Sequence, residues 1–175
     1  MTKNGTVKIL VAGLLGGFLG NGVLGAIFSS PPIKAILYNP KWQSQLFIEI
    51  TPKRNIPVSV AGLVILSIIH AWLFSVLRPS IPGKTWVRKG LFWGLAICLM
   101  YWLFQEWFIY HTLLGEPLFL NALELTILTL GSMVEAIVIA FFLARQPSDS
   151  PGKMNIARTN AFNPPAGQVH RDLPN

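Results

Sequence analysis

Charge is scarce in this chain. Only 12% of its 175 residues are Asp, Glu, Lys or Arg, about half of the ~25% that soluble domains carry. Hydrophobic residues make up 52% of the chain, and the mean hydropathy is +0.52. The composition therefore excludes an ordinary soluble domain and indicates an integral membrane protein.

The chain has only one cysteine and lacks the common catalytic motifs. Cys98 is the single cysteine, which excludes a disulfide framework and a thiolate metal site. The chain has no Ser/His/Asp order, no glycine-rich phosphate loop and no nucleotide-binding motif. We therefore predict no catalytic residue and no cofactor, while a quinone or a metal stays open.

Positive charge exceeds negative charge, with a formal net charge of +7. The basic residues flank apolar runs, and no basic run with interleaved aromatics lies outside these runs. This arrangement orients a chain in the lipid bilayer and does not predict a nucleic-acid partner.

Apolar runs predict four spanning helices, each long enough to cross ~30 Å of hydrocarbon. We expect an all-α, polytopic membrane protein that folds as a four-helix bundle. Lys3 and Lys8 imitate the start of a signal peptide, but Pro31 would adjoin the cleavage site, which favours a retained first helix. The predicted spans are about 7–28, 57–77, 86–110 and 118–144.

The other segments differ in composition. Residues 29–56 contain prolines and apolar residues, which fits either short helices in the membrane interface or a loop packed on the helix ends. Together with the spans they make a membrane domain of residues 1–145. Residues 146–175 are rich in Pro, Ser and Asn, and we expect a disordered cytoplasmic tail.

Lysine and arginine predict the orientation. Nine nearby basic residues lie on the side that holds both termini, against four on the other side. Because positive residues accumulate on the cytoplasmic side, we expect both termini there. The expected location is a bacterial inner (plasma) membrane.

Four glycines of the first span predict close helix packing. Gly13, Gly16, Gly17 and Gly20 recur at helical spacing and should make one flat face for another helix. Asn21 follows Gly17 by four positions, so we expect it to extend this face as a buried hydrogen-bonding group.

Intramembrane polar residues predict where any chemistry would lie, because a carboxylate costs ~2.5–3.5 kcal/mol in hydrocarbon. Counted along the helices, Glu106 and Glu124 share one level, as do His70 and Glu135. We expect each pair to be in contact. Two carboxyl groups that close cannot both be ionised without a cation, so one of Glu106 and Glu124 should keep a proton. Further polar candidates are Gln105, His111 and Asn121.

A di-iron centre does not fit the spacing. Such bundles use Glu-x-x-His on two helices, whereas Glu106 and His111 are five residues apart, some 140° around an α-helix. Neither Glu124 nor Glu135 has a histidine three residues later. We predict no metal ligand among these residues.

Several short motifs of the chain resemble those of one protein family. These are His70-Ala-Trp72 in the second span, Pro82-Gly-Lys-x-Trp and Arg-Lys-Gly-Leu-x-x-Gly94 around the start of the third, and Gly115-Glu-Pro-Leu118 before the fourth. With the glycine-rich first span, the chain resembles, over roughly residues 7–145, a family of bacterial four-span membrane proteins grouped as a domain of unknown function. The resemblance implies the four-span topology and no activity.

Three functions are compatible with the sequence. We expect a non-enzymatic membrane subunit whose polar stripe holds the bundle together or docks a partner, either another membrane protein or a second copy. A small proton-coupled transporter using the three intramembrane glutamates is one alternative. A lipid- or quinone-linked enzyme is the other, suggested by the aromatic third span and His111.

Overall fold

The computed structural model describes residues 3–44, 46 and 55–145, and these are helical wherever they form regular structure. Four helices are long and apolar enough to cross a membrane, as the sequence predicts. The predicted tail, 146–175, lies outside the described residues. The helices are α1 (Lys3–Ser29), α2 (Pro31–Leu37), α3 (Ile56–Leu77), α4 (Trp86–Ile97) with its π-helical continuation, and α5 (Leu118–Ala144).

The glycines of α1 form two contact faces, not the single face expected from their spacing. A Cβ atom built on Gly13 would lie 2.8 Å from Cα of Ile68 in α3. A Cβ atom on Gly20 would lie 2.9 Å from Cβ of Glu135 in α5. Alternate glycines therefore seat α1 between two helices, because only hydrogen side chains allow backbones to approach this closely.

The connection after α1 includes a short helix over part of the range where the sequence allows an interfacial one. Pro31 occupies the first position of α2, where proline costs no hydrogen bond. Leu37 at its end is buried, and Trp42 packs edge-on against Phe119 of α5 at 5.4 Å. The connection thus reaches the start of α5.

Basic side chains tie the other end of the bundle together. Nη1 of Arg78, just after α3, donates a hydrogen bond of 2.7 Å to the carbonyl oxygen of Leu143. Nζ of Lys89 in α4 donates to the carbonyl oxygen of Arg78 at 2.6 Å. Cations at these positions satisfy backbone carbonyls that helix ends leave without partners.

The third spanning helix is not a regular α-helix, and it extends to residue 113, three residues beyond the predicted end. It is π-helical over Cys98–Trp102 and Gln105–Leu113, and the amide of Leu114 donates to the carbonyl oxygen of Ile109, five residues earlier. Such i→i+5 hydrogen bonds stack residues five apart along the axis. Glu106 and His111 therefore lie much closer in angle than the 140° expected for an α-helix.

Helix α5 is the centre of the bundle, since α1 and α4 pack along it and α3 touches it. Gly94 of α4 approaches it closely: a Cβ atom there would lie 2.8 Å from Cα of Met133. Gly90, one turn earlier, approaches Ile137 in the same way. By contrast, α3 and α4 do not pack against each other over an extended surface. The bundle is therefore closed around α5 and open between α3 and α4.

Candidate functional site: a polar stripe along the central helix

Four polar side chains of α5 hydrogen-bond to groups on neighbouring helices, and a fifth, Glu124, interacts with Glu106 of the third span. Together they form a polar stripe, in which three members are polar candidates that the sequence predicts and two, Thr129 and Ser132, are further members. Each member has a partner on α3 or on the third span, so the stripe faces into the bundle. Its members are Asn121, Glu124, Thr129, Ser132 and Glu135.

The predicted contact between His70 and Glu135 is present. Nδ1 of His70 in α3 lies 3.0 Å from Oε1 of Glu135, and the two residues are only 9% and 8% exposed. Gly16 and Gly20 of α1 lie directly against Glu135. Three helices therefore enclose one polar pair, and almost no water reaches it to replace a lost partner.

Two further hydrogen bonds join α5 to the third span. Nε1 of Trp102 donates to Oγ of Ser132 at 2.7 Å, and Sγ of Cys98 lies 2.8 Å from Oγ1 of Thr129. Because the Thr129 hydroxyl already donates to the carbonyl oxygen of Leu125, the thiol must be the donor. Sequence reasoning missed both contacts, since serine, threonine and cysteine in apolar helices carry no distinctive spacing.

The carboxyl groups of Glu106 and Glu124 are brought together near the start of α5. Their side chains are close enough to interact with each other, and Gln105 lies beside Glu106 in the chain. Nδ2 of Asn121 donates to the backbone carbonyl oxygen of Glu106 rather than to a carboxyl group.

Two buried oxygen atoms in this cluster have no hydrogen-bond partner. They are Oε2 of Glu106 and Oδ1 of Asn121, whose residues are only 2% and 3% exposed. The assignment of Oδ1 is secure on chemical grounds, because exchanging it with Nδ2 would turn an acceptor toward the Glu106 carbonyl. Buried acceptors normally have partners, so these two oxygens are exceptions.

Glu116 and His111 complete the polar groups at this end. Nδ1 of His111 donates to the backbone carbonyl oxygen of Glu116 at 2.8 Å, so this histidine is not a partner of the two glutamate side chains. Glu116 lies between the third and fourth spans and is 7% exposed. Burial raises the pKa of its carboxyl group above the ordinary value.

Asn21 does not join the stripe. Its Nδ2 donates to the carbonyl oxygen of Gly17 in its own helix at 2.8 Å, and the side chain is only partly buried. The Asn21 side chain is therefore hydrogen-bonded within α1, and the neighbouring glycines make the contacts with other helices.

In the described part of the chain, no group of three or more His, Cys, Asp or Glu side chains is arranged to hold a metal ion. Two carboxyl groups, of Glu106 and Glu124, do meet, but no histidine joins them. The residues present do not form the donor set of a di-iron bundle.

Comparison of the chain with protein-family models, with curated proteins and with solved structures finds no match.

Proposed function

We propose that this protein is a structural membrane subunit that docks a transmembrane helix of another membrane protein. The observation that carries the proposal is the division of the bundle. The polar side chains of the α5 stripe are engaged in hydrogen bonds between helices, whereas α3 and the π-helical part of the third span leave a groove between them. The stripe would fix the bundle, and the groove would receive the partner.

The groove has a mainly apolar lining with room for a close approach to α3. It has a volume of about 510 Å³, and nothing lies within 4 Å of a Cβ atom built on Gly62 of α3. Small residues let the backbone of a second helix approach closely. The lining residues are Ser59, Gly62, Leu63, Ile65, Leu66, Ile69, Tyr101, Trp102 and Gln105.

Polar groups on the groove walls favour a protein helix over lipid as the occupant. Ser59 and Gln105 offer hydrogen-bonding groups that acyl chains cannot satisfy. The degree of burial agrees, because 17% of the most apolar stretch of α3 is buried, against 44% for α5. A partner helix in the groove would bring α3 closer to the burial of its neighbours.

The proposed setting is a bacterial inner membrane with both termini in the cytoplasm. The basic residues Arg78 and Lys89 lie at the end of the bundle that holds the N-terminus of α1, and Glu116 lies at the other end. The excess of Lys and Arg on cytoplasmic connections supports this orientation.

Photo-crosslinking in native membranes tests the docking. A photoreactive residue in place of Leu66, which lines the groove, should form adducts with one membrane protein. The same residue in place of Ala61 is the matched control, since Ala61 is exposed on α3 but does not line the groove. Gly62→Leu should abolish the adduct without destabilising the chain, because the added side chain enters open space.

Three outcomes would contradict the proposal. Adducts with lipid alone would show that the groove is a lipid contact. Adducts between two copies of this chain would replace the partner with a homo-oligomer. Equal protein adducts from Leu66 and Ala61 would show collisions without a specific surface.

A proton-coupled carrier is the second candidate function, favoured by the contact between Glu106 and Glu124. Paired intramembrane carboxyl groups are a common means of carrying protons. Proton uptake by proteoliposomes should then fall in Glu106→Gln while folding is retained. Unchanged proton flux in that variant would leave only the structural role.

A further inference from the structure

We propose that the basic end of the bundle binds the phosphate group of an anionic phospholipid. This end consists of the residues that follow α3, begin α4 and end α5. None of them lines the groove, so the site goes beyond the proposed docking function and does not depend on it. The cations of the basic end are Arg78, Lys84, Arg88, Lys89 and Arg145.

Hydrogen bonds hold two of the cations in place. Nη1 of Arg78 donates to the carbonyl oxygen of Leu143 at 2.7 Å, and Nζ of Lys89 donates to the carbonyl oxygen of Arg78 at 2.6 Å. A guanidinium group carries five N–H donors and an ammonium group three, so each side chain has further donors. Both residues are only partly buried. They therefore present charged donors that are already positioned for phosphate oxygens.

The turn between α3 and α4 brings two more cations to this end. Gly83 has a φ of 127°, and a Cβ atom built on it would lie 2.9 Å from Cβ of Arg88. The turn thus folds back on the first turn of α4, so that Lys84, the next residue after Gly83, lies near the backbone of Arg88. Both cations are on exposed residues and can reach a lipid headgroup.

Aromatic rings mark the depth of the basic end. Trp86 packs edge-on against Phe141 with 5.3 Å between the ring centroids, and the guanidinium group of Arg145 lies over the Phe141 ring at 4.7 Å. Tryptophan at the ends of spanning helices lies at headgroup level. The cations around Trp86 should therefore lie at the depth of the lipid phosphates.

Charge complementarity identifies the ligand as an anionic lipid. Among the described residues the one ion pair joins His70 to Glu135, so none of the five cations is paired with a carboxylate there. Glu135 is the acidic residue of α5 nearest to Arg145 along the chain, and ten residues of helix separate the two by ~15 Å. A zwitterionic lipid would bring a further positive charge to this cluster, whereas an anionic lipid brings only negative charge.

Spin-labelled lipids test the site on the full-length protein in phosphatidylcholine vesicles at low ionic strength. Phosphatidylglycerol should associate more strongly than phosphatidylcholine with the same acyl chains. Arg88→Gln and Arg145→Gln should each lower this preference about 5-fold, the factor that corresponds to ~1 kcal/mol for one Lys or Arg near the surface. Both residues are exposed, so the changes should leave the fold intact. Lys34→Gln is the matched control, because Lys34 is exposed in α2 at the opposite end and should not affect the preference.

Thermal unfolding in detergent distinguishes a lipid from free phosphate. Phosphatidylglycerol should raise the midpoint by roughly 3–6 °C at about ten times its Kd, whereas sodium phosphate should act no differently from NaCl of equal ionic strength. Equal association of the two lipids would overturn the proposal. An equal loss of preference in Lys34→Gln would do so as well, since it would show an effect of overall charge alone. Equal stabilisation by inorganic phosphate would replace the lipid with a free anion.

Discussion

The buried pair of His70 and Glu135 provides the most direct test of whether the polar stripe holds the bundle together. The perturbation is a double-mutant cycle with His70→Ala, Glu135→Ala and both changes together. The two groups are 3.0 Å apart and at most 9% exposed, so water cannot replace a lost partner.

The magnitude follows from what each change leaves behind. Removing one partner of a buried charged pair costs ~3–5 kcal/mol, whereas an unsatisfied neutral group costs ~1–3 kcal/mol. The second change then removes a group that has already lost its partner. The double variant should therefore be more stable than the sum of the single effects predicts, by ~1–3 kcal/mol.

The assay is equilibrium unfolding in mixed micelles, followed by near-ultraviolet circular dichroism. The control cycle combines His70→Ala with Thr126→Ala, since the Thr126 hydroxyl is exposed and bonds only to the carbonyl of Ala122 in its own helix. That cycle should be additive. Strict additivity for His70 and Glu135 would refute the reasoning, because residues in contact should show coupling.

Three further predictions concern packing, hydrogen bonding and topology. Gly20→Ala should destabilise the bundle by ~1–3 kcal/mol because its Cβ atom would meet Glu135 at 2.9 Å. The control Gly22→Ala adds its methyl group to open space and should leave the stability unchanged. Equal unfolding curves for the two variants would contradict the packing argument. Trp102→Phe should cost ~1 kcal/mol by removing the bond to Ser132, while an unchanged stability would show that this bond contributes nothing. A reporter fused at Gly115 should be external, and a cytoplasmic reading would reverse the orientation.

The sequence alone determined where the four long apolar helices lie and which polar residues of the fourth one share a face. Helix α5 begins at Leu118 and ends at Ala144, at the predicted positions, because a long apolar run has to satisfy its backbone hydrogen bonds internally. The pairing of His70 with Glu135 followed from equal depth and from the cost of leaving a carboxyl group alone. These features depend on composition and on the regular rise of a helix.

Only the tertiary structure decided which face of each helix contacts which neighbour. The π-helical segment places His111 at a different angle around the helix axis than an α-helix would. The sequence could not predict this, because a change of hydrogen-bond register cannot be read from residue types. The glycines of α1 divide between α3 and α5 because two neighbours, not one, approach that helix. The open groove beside Gly62 depends on which helices fail to meet. The unpartnered oxygens of Glu106 and Asn121 depend on how two helices that do meet are packed. Both are properties of packing among distant segments.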